Sequence, residues 1–182
     1  MKKTAILFAE GYEEVEALTV VDLLRRAKLG CDIVAVEESG WVTGSHGIRV
    51  EADKPLSQLD IGEYEGLILP GGLRGVSNLA ADERVLALLR DFAGAGKLTA
   101  AICAGPTVLA KAGLLAGKKA TCYPGMEDQL AGAIPCADPV VKDGNILTSR
   151  GVGTAIPFAL ALVAFFNGEE QAQSLAKTIV YQ

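Results

Sequence analysis

The stretch TAAICAGPTVLAKAGLL (99–115) contains a complete strand–turn–helix unit. A run of small and apolar residues ends at Cys103, and Ala-Gly-Pro-Thr follows before an apolar pattern with helical spacing resumes. A continuous apolar run is typical of a strand that is covered on both faces, and glycine and proline together mark a turn. We therefore predict a strand over 97–103, a tight turn, and a helix over 106–115.

The same alternation of strand and helix extends along the chain. Apolar runs predict strands over 4–9, 31–38, 66–72 and 145–151, and helical spacing predicts helices over 13–30, 82–93, 154–168 and 169–180. The segment 40–53 alternates around glycine-rich turns and predicts a hairpin, and Gly30 is expected to stop the first helix. No internal repeat or linker-like segment divides the sequence. These features predict one α/β domain over 1–182, with a mostly parallel sheet and helices on both faces.

Composition excludes several classes of function. The 182 residues are 50% hydrophobic and carry a net charge of −5, and no block of Lys or Arg predicts binding to nucleic acid or to a membrane surface. The apolar run after the N-terminal lysines ends within a few residues in acidic ones, so it predicts a strand and not a signal peptide. No apolar stretch approaches the ~18 residues that a membrane span needs. We expect a cytoplasmic protein with reduced cysteines.

Cys103 is the candidate nucleophile. It lies between a strand and a helix, where backbone N–H groups and the helix dipole favour a thiolate, and Ala104 and Gly105 keep the turn free of bulk. A buried structural thiol is the alternative for this residue. The other three cysteines lack this context and are expected to be structural: Cys31, Cys122 and Cys136. With no C-x-x-C pair and one histidine, the sequence predicts no metal site.

The segment LPGG (69–72) is the second candidate feature. Two glycines at the end of a buried strand, Gly71 and Gly72, allow a backbone N–H group to approach a ligand closely. The N–H groups of Gly72 and Ala104 could then form an oxyanion hole. A tight turn without a ligand is the alternative, and the segment does not match a Walker phosphate loop.

The segment EGYEEVE (10–16) is the third. Glu13 and Glu14 are explained by their position at the start of a helix, where negative charge is favourable. Glu16 lies close to the carboxyl end of the first strand, where a raised pKa would allow it to transfer a proton beside a thiolate. His46, the only histidine, is in the glycine-rich hairpin and is expected to be a turn residue, since no local pattern pairs it with Cys103.

Four separated segments carry a resemblance to a known family. They are AEGYEEVEALTVVDLLRRA (9–27), LILPGG (67–72), AAICAGPTVLAKAGLL (100–115) and LTSRGVGTA (147–155). Together they resemble the ThiJ/PfpI superfamily, in particular its branch with the Parkinson's-disease-associated protein deglycase and YajL. The resemblance implies a flavodoxin-like three-layer sandwich that forms a homodimer. It also implies that Cys103 is the reactive nucleophile, that Glu16 is its partner carboxylate, and that Gly72 and Ala104 supply backbone donors.

The sequence also departs from parts of the superfamily. PfpI-type peptidases have a histidine directly after the nucleophile, where this chain has Ala104, and class I glutamine amidotransferases need a late His-x-Glu pair that is absent here. Where the deglycase has a histidine, this chain has Tyr123. By the same resemblance, Tyr123 and Pro124 line the mouth of the pocket, and Gly71 is also expected to line it. Arg150, at the end of the last strand, is expected to form a structural ion pair.

Two functions of different classes remain open. The resemblance implies a cofactor-independent enzyme that converts reactive dicarbonyls, glyoxal and methylglyoxal, or their early adducts on protein side chains, to hydroxy acids. The rival is a cysteine-based sensor of oxidative stress or a redox-regulated chaperone, because an accessible thiolate is also readily oxidised. Both functions need Cys103 and Glu16, and the sequence does not separate them.

Overall fold

The computed structural model describes residues 2–181, which alternate between strands and helices along the chain. The strands are β1 Lys3–Phe8, β2 Gly30–Ala35, β3 Trp41–Thr43, β4 Arg49–Glu51, β5 Lys54–Pro55, β6 Gly66–Leu69, β7 Leu98–Ile102, β8 Lys119–Ala120, β9 Ile134–Pro135, β10 Val140–Asp143 and β11 Ile146–Ser149. The helices are α1 Glu14–Arg26, α2 Leu73–Ala81, α3 Glu83–Gly94, α4 Pro106–Lys111, α5 Ala155–Asn167 and α6 Glu169–Thr178.

Seven of these strands form the central sheet, in the order β10-β11-β7-β6-β1-β2-β5. All neighbours pair in parallel except β10 and β11, which are antiparallel. The strand order reverses beside β1, because β2 lies on one side of it and β6 on the other. This reversal leaves a crevice at the carboxyl ends of β1 and β6, the usual location of ligand sites in open α/β sheets.

Two hydrophobic cores lie on opposite faces of the sheet. Along β1, Ile6 and Phe8 face the core that contains α1, α5 and α6, whereas Ala5 and Leu7 face the core that contains α2, α3 and α4. This alternation follows from the two-residue period of a strand. Because both faces are covered, β1 is apolar from Ala5 to Phe8. The predicted three-layer α/β fold is confirmed.

Some predicted boundaries were wrong. Gly30 does not stop α1: the helix ends at Arg26, Lys28 adopts a left-handed conformation with φ of 60°, and Gly30 is the first residue of β2. Five elements were not predicted from the sequence: α2, β5, β8, β9 and β10. The helix after Cys103 was predicted to reach 115, whereas α4 ends at Lys111. The sequence of α2, LRGVSNLAA, contains Gly, Ser and Asn, which have low helix propensity. Contacts with the turn after β1 therefore stabilise this helix: the Gly75 N–H donates to Gly11 O, and the Asn78 side chain donates to Glu10 O.

None of the helices within residues 2–181 has both the length and the apolar character that a membrane crossing requires.

Candidate active site

Cys103 lies on a strained turn directly after β7. Its φ is 65°, a left-handed conformation that is uncommon outside glycine. Two backbone hydrogen bonds hold this conformation: the N–H of Cys103 donates to Ser149 O at 3.0 Å, and its carbonyl accepts from Tyr123 N at 2.8 Å. β11 on one side and the loop after β8 on the other therefore fix the thiol at the carboxyl end of the sheet, as in a nucleophile elbow.

Glu16 is completely buried beside this turn, on the first turn of α1. Its Oε2 accepts a hydrogen bond from the Gly71 N–H at 2.9 Å, and its own N–H donates to the Glu13 carboxylate at 2.7 Å. Its other oxygen, Oε1, has no hydrogen-bond partner among the described residues. A buried carboxylate oxygen without a partner is costly, which indicates that a proton or a ligand occupies this position when the site works.

Glycine is required at both positions of the turn after β6. A Cβ on Gly71 would lie 2.3 Å from Glu16 Oε2 and 2.5 Å from Cys103 Cβ, so any side chain would push the two functional groups apart. Gly72 has φ of 90°, and a Cβ there would lie 2.4 Å from the carbonyl oxygen of Gly11. The two glycines thus bring β6 against both the cysteine turn and the start of α1.

Burial and nearby charges control the protonation of Glu16 and Cys103. Burial raises the pKa of Glu16 to about 7, although the nearby Cys103 thiol and the hydrogen bond from the Gly71 N–H both lower it. Burial and the Glu16 charge raise the pKa of the Cys103 thiol to about 12. The N–H groups of Ala104 and Gly72 oppose this increase, as predicted for donors at a helix start, but they do not outweigh it. The lowered thiol pKa expected from the strand–helix context is therefore wrong, because the sequence pattern does not include the buried carboxylate beside the thiol.

A cavity of about 630 Å³ opens above Cys103 and Glu16. It lies at the carboxyl ends of the strands, as predicted for this fold. It is lined by Ala104, Gly72, Tyr123 and Pro124, so these predicted residues are brought together with Cys103. Gly71 is not in the lining; it lies beneath, between the thiol and the carboxylate. The sequence analysis missed the remaining lining residues: Glu13, Leu73, Met126, Gly151, Val152, Gly153 and Thr154.

His46 lies apart from Cys103, in the hairpin turn where it was predicted. Its backbone N–H and its Nδ1 contact the carboxylate of Glu14 at 2.6 and 2.9 Å, and Ser45 Oγ donates to the same carboxylate at 3.0 Å. Burial raises the pKa of Glu14, but these hydrogen bonds lower it to about 2 overall. Glu13, Glu14 and His46 are close enough to hold a metal ion by distance. However, donors from the turn already satisfy the Glu14 carboxylate, so these residues hold the hairpin against the start of α1.

The other cysteines and Arg150 have structural environments. All four cysteines are free thiols; Cys31 and Cys122 are buried, whereas Cys136 is partly exposed, contrary to expectation. Arg150 lines the cavity, donates to the carbonyl oxygen of Ala137 at 2.9 Å, and lies 4.0 Å from Glu127. Its ion pair is therefore long, and the backbone hydrogen bond fixes the guanidinium as much as the carboxylate does.

Comparison with known proteins gives consistent matches. The model of the DJ-1/PfpI family matches residues 2–165. Protein dj-1beta of Drosophila melanogaster is 39% identical over 181 residues, covering 98% of this chain and 97% of that protein. A protein named deglycase PH1704, of Pyrococcus horikoshii, is 35% identical, covering 81% of this chain and 89% of that protein. The chain spans less than half the length of two Arabidopsis thaliana relatives, DJ-1 homologs A and B.

The fold is also found among solved structures. The crystal structure of a mutant of the DJ-1 superfamily protein STM1931, from Salmonella typhimurium, superposes with a TM-score of 0.96 at 35% identity, over the whole of both chains.

Proposed function

The chain belongs to the DJ-1/PfpI family, and from this premise we propose that it is a cofactor-independent enzyme that converts reactive dicarbonyls, or their early adducts on protein side chains, to hydroxy acids. The observation that carries the proposal is the unpartnered Oε1 of buried Glu16 beside the Cys103 thiol in one cavity. A relative that is named a deglycase supports the class of activity.

The first step joins the thiol to the substrate. Glu16 accepts the thiol proton as Cys103 Sγ forms a bond with the aldehyde carbon. It then gives that proton to the oxyanion, which completes the hemithioacetal and leaves Glu16 ionised for the next step. The N–H groups of Gly72 and Ala104 are the donors for that oxyanion, because both already face the sulfur. A carboxylate with a pKa of about 7 suits this transfer, since it both accepts and releases a proton near neutral pH.

The second step moves one proton between adjacent carbons. Glu16 removes the proton from the former aldehyde carbon and returns it to the neighbouring carbonyl carbon, while the hydroxyl proton moves to the neighbouring oxygen. The first carbon is thereby oxidised to a thioester and the second is reduced to an alcohol, so no external oxidant or reductant is needed. Water then cleaves the thioester and releases the hydroxy acid and the free thiol. Methylglyoxal would give lactate, and glyoxal would give glycolate.

The test is formation of lactate from methylglyoxal in the absence of glutathione. Cys103→Ala is expected to abolish turnover, and Glu16→Gln is expected to lower kcat by about 10²–10⁴-fold, the usual contribution of a positioned acid–base group. Cys136→Ala, which removes a partly exposed thiol outside the cavity, is the matched control and is expected to keep full turnover. Full turnover by Cys103→Ala would refute the mechanism.

The sensor function is the second candidate, and one observation favours it. Only when protonated can Glu16 donate a hydrogen bond to an oxidised sulfur, and burial raises its pKa towards the range where this occurs. Mass spectrometry after graded peroxide treatment would test it. A wild type without turnover, whose Cys103 is oxidised to the sulfinate well before Cys136, would favour the sensor over the enzyme.

We also propose that the protein is a homodimer, as the family resemblance implies. Val15 on α1 and Ile156 on α5 are exposed apolar side chains, and these two helices lie in the same layer. Light scattering coupled to size-exclusion chromatography tests this: a dimeric wild type that becomes monomeric in the Val15→Asp/Ile156→Asp variant supports it, and a monomeric wild type refutes it.

A further inference from the structure

The mouth of the Cys103 cavity has large apolar side chains that are exposed to solvent. Leu73 is 76% exposed, Tyr123 is 52% exposed and Val152 is 48% exposed, and all three line the cavity together with Pro124 and Met126. Single exposed apolar residues are ordinary on a protein surface, but a group of them at the entrance of a cavity is typical of a binding site. We call Leu73, Tyr123 and Val152 the apolar rim.

The cavity is also larger than a small dicarbonyl requires. Methylglyoxal has five non-hydrogen atoms and occupies on the order of 100–150 Å³, if each atom takes about the 30 Å³ of a water molecule in the liquid. The cavity has about 630 Å³. With the aldehyde carbon at Cys103, methylglyoxal would fill the floor of the cavity and leave the rim in contact with water.

The charged groups at the entrance do not select a charged substrate. Arg150 donates to the carbonyl oxygen of Ala137, and its Nη2 lies 4.0 Å from Glu127 Oε1, so a carboxylate of opposite charge lies beside the guanidinium. Glu16 is buried on the floor beside the thiol, and Glu13 accepts the hydrogen bond from the N–H of Glu16. The part of the cavity between the thiol and solvent is therefore bounded mainly by apolar side chains and glycine.

We propose that the apolar rim is a specificity subsite for 2-oxoaldehydes that bear an uncharged apolar group about the size of a leucine side chain. This inference rests on the proposed function and extends it from the reacting carbons to the rest of the substrate. The aldehyde carbon binds at Cys103 on the floor, and the apolar group extends outward between Leu73, Tyr123 and Val152. The subsite raises kcat/KM because it removes apolar surface from water on both the substrate and the rim.

Gly151 provides the passage between floor and rim. A Cβ at this position would lie 3.5 Å from Tyr123 Cδ2 and 3.9 Å from Glu16 Oε1, both ordinary van der Waals distances. A methyl group would therefore fit without displacing a neighbour, but it would occupy the space that leads from the carboxylate to the rim. Gly151→Ala is expected to hinder a branched substrate more than methylglyoxal.

The experiment compares two substrates, methylglyoxal and isobutylglyoxal, whose additional three carbons carry no charge. The wild type is expected to have at least a tenfold higher kcat/KM for isobutylglyoxal, because about two of those three carbons would be buried against the rim. Leu73→Ser, Val152→Ser and Gly151→Ala are each expected to lower this ratio by about three- to tenfold. Ile134→Ser removes an isoleucine that is 52% exposed, similar to Val152, and that lies outside the cavity. This variant is expected to keep the wild-type ratio.

A binding measurement separates the subsite from the chemistry. Calorimetry on the Cys103→Ser variant compares the two hydroxy acid products, lactate and hydroxyisocaproate, and the latter is expected to bind at least tenfold more tightly. If neither aldehyde is turned over but hydroxyisocaproate still binds more tightly, the proposed function is refuted and the subsite stands. If both aldehydes are turned over with equal kcat/KM and both acids bind equally, the subsite is refuted and the proposed function stands.

Discussion

Replacing Glu16 with glutamine is expected to remove most of a pH dependence of stability between pH 5 and pH 8. Burial raises the pKa of this carboxyl from its ordinary 4.5 to about 7 in the native protein. The native state therefore binds the proton more tightly than the unfolded chain does. The resulting stabilisation is fully present below the unfolded pKa and is lost as the pH rises through about 7.

The size of this effect follows from the two pKa values. A native pKa of about 7 and an unfolded pKa of 4.5 give a loss of about 2.5 kcal/mol in the free energy of unfolding between pH 5 and pH 8. Glutamine has nearly the same shape, and its oxygen can still accept the hydrogen bond from Gly71, but it does not ionise. As the pH rises from 5 to 8, the free energy of unfolding of the variant is therefore expected to increase by about 2.5 kcal/mol relative to that of the wild type.

Urea unfolding under reducing conditions measures this difference at several pH values. The comparison between variant and wild type cancels the titration of other groups, including His46, whose pKa its hydrogen bond to Glu14 raises. Glu170→Gln, which removes a negative charge from the exposed start of α6, is the matched control and is expected to follow the wild type. Stability curves of wild type and Glu16→Gln that run parallel from pH 5 to pH 8 would refute the argument.

Three further substitutions test other parts of the structure. Gly71→Ala would place a Cβ 2.5 Å from the Cys103 Cβ, so turnover is expected to fall at least 100-fold and stability by about 1–3 kcal/mol, as for an overpacked core. Tyr64→Phe removes a 2.6 Å hydrogen bond to Asp32 and is expected to lower stability by about 1.5–3 kcal/mol in urea unfolding, without loss of turnover, because both residues lie away from the Cys103 cavity. Glu14→Gln is expected to destabilise the protein more at pH 7 than at pH 3 in thermal unfolding. The native pKa of about 2 lies below the unfolded value, so the stabilisation by this carboxylate is lost as the pH falls. An equal loss of stability at pH 3 and pH 7 would contradict the hydrogen-bonded role of its charge.

The sequence predicted the architecture well because the burial of a strand or helix determines the local pattern of its apolar residues. Strands covered on both faces, such as β1 and β7, consist mostly of apolar residues, and the helices between them show their buried stripe at helical spacing. The elements that were missed are short or lie at an edge of the sheet. α2 is short and contains Gly75 in its buried face, and β10 is an edge strand whose burial is only partial.

The candidate nucleophile and its turn were also visible in the sequence. The order of strand, cysteine, small residues and helix around Cys103 is local, and the requirement for small residues is steric, so both can be inferred from the chain. Glu16 was placed near the nucleophile from its position after the first strand. Its complete burial and its unpartnered oxygen could not be inferred, because they depend on Gly71, which is 55 residues away along the chain.

The sequence by itself determined most of the strands and helices, the α/β class with helices on both faces of the sheet, and where the chain turns sharply enough to present a thiol, because these depend on neighbouring residues. Only the tertiary structure decided the chemistry of the site. The pKa of Glu16 and of Cys103 depends on how deeply the two groups are buried and on how close the folded chain brings them. The apolar rim likewise exists only because segments around Leu73, Tyr123 and Val152 meet at one end of the sheet, and no local pattern records which residues will meet there.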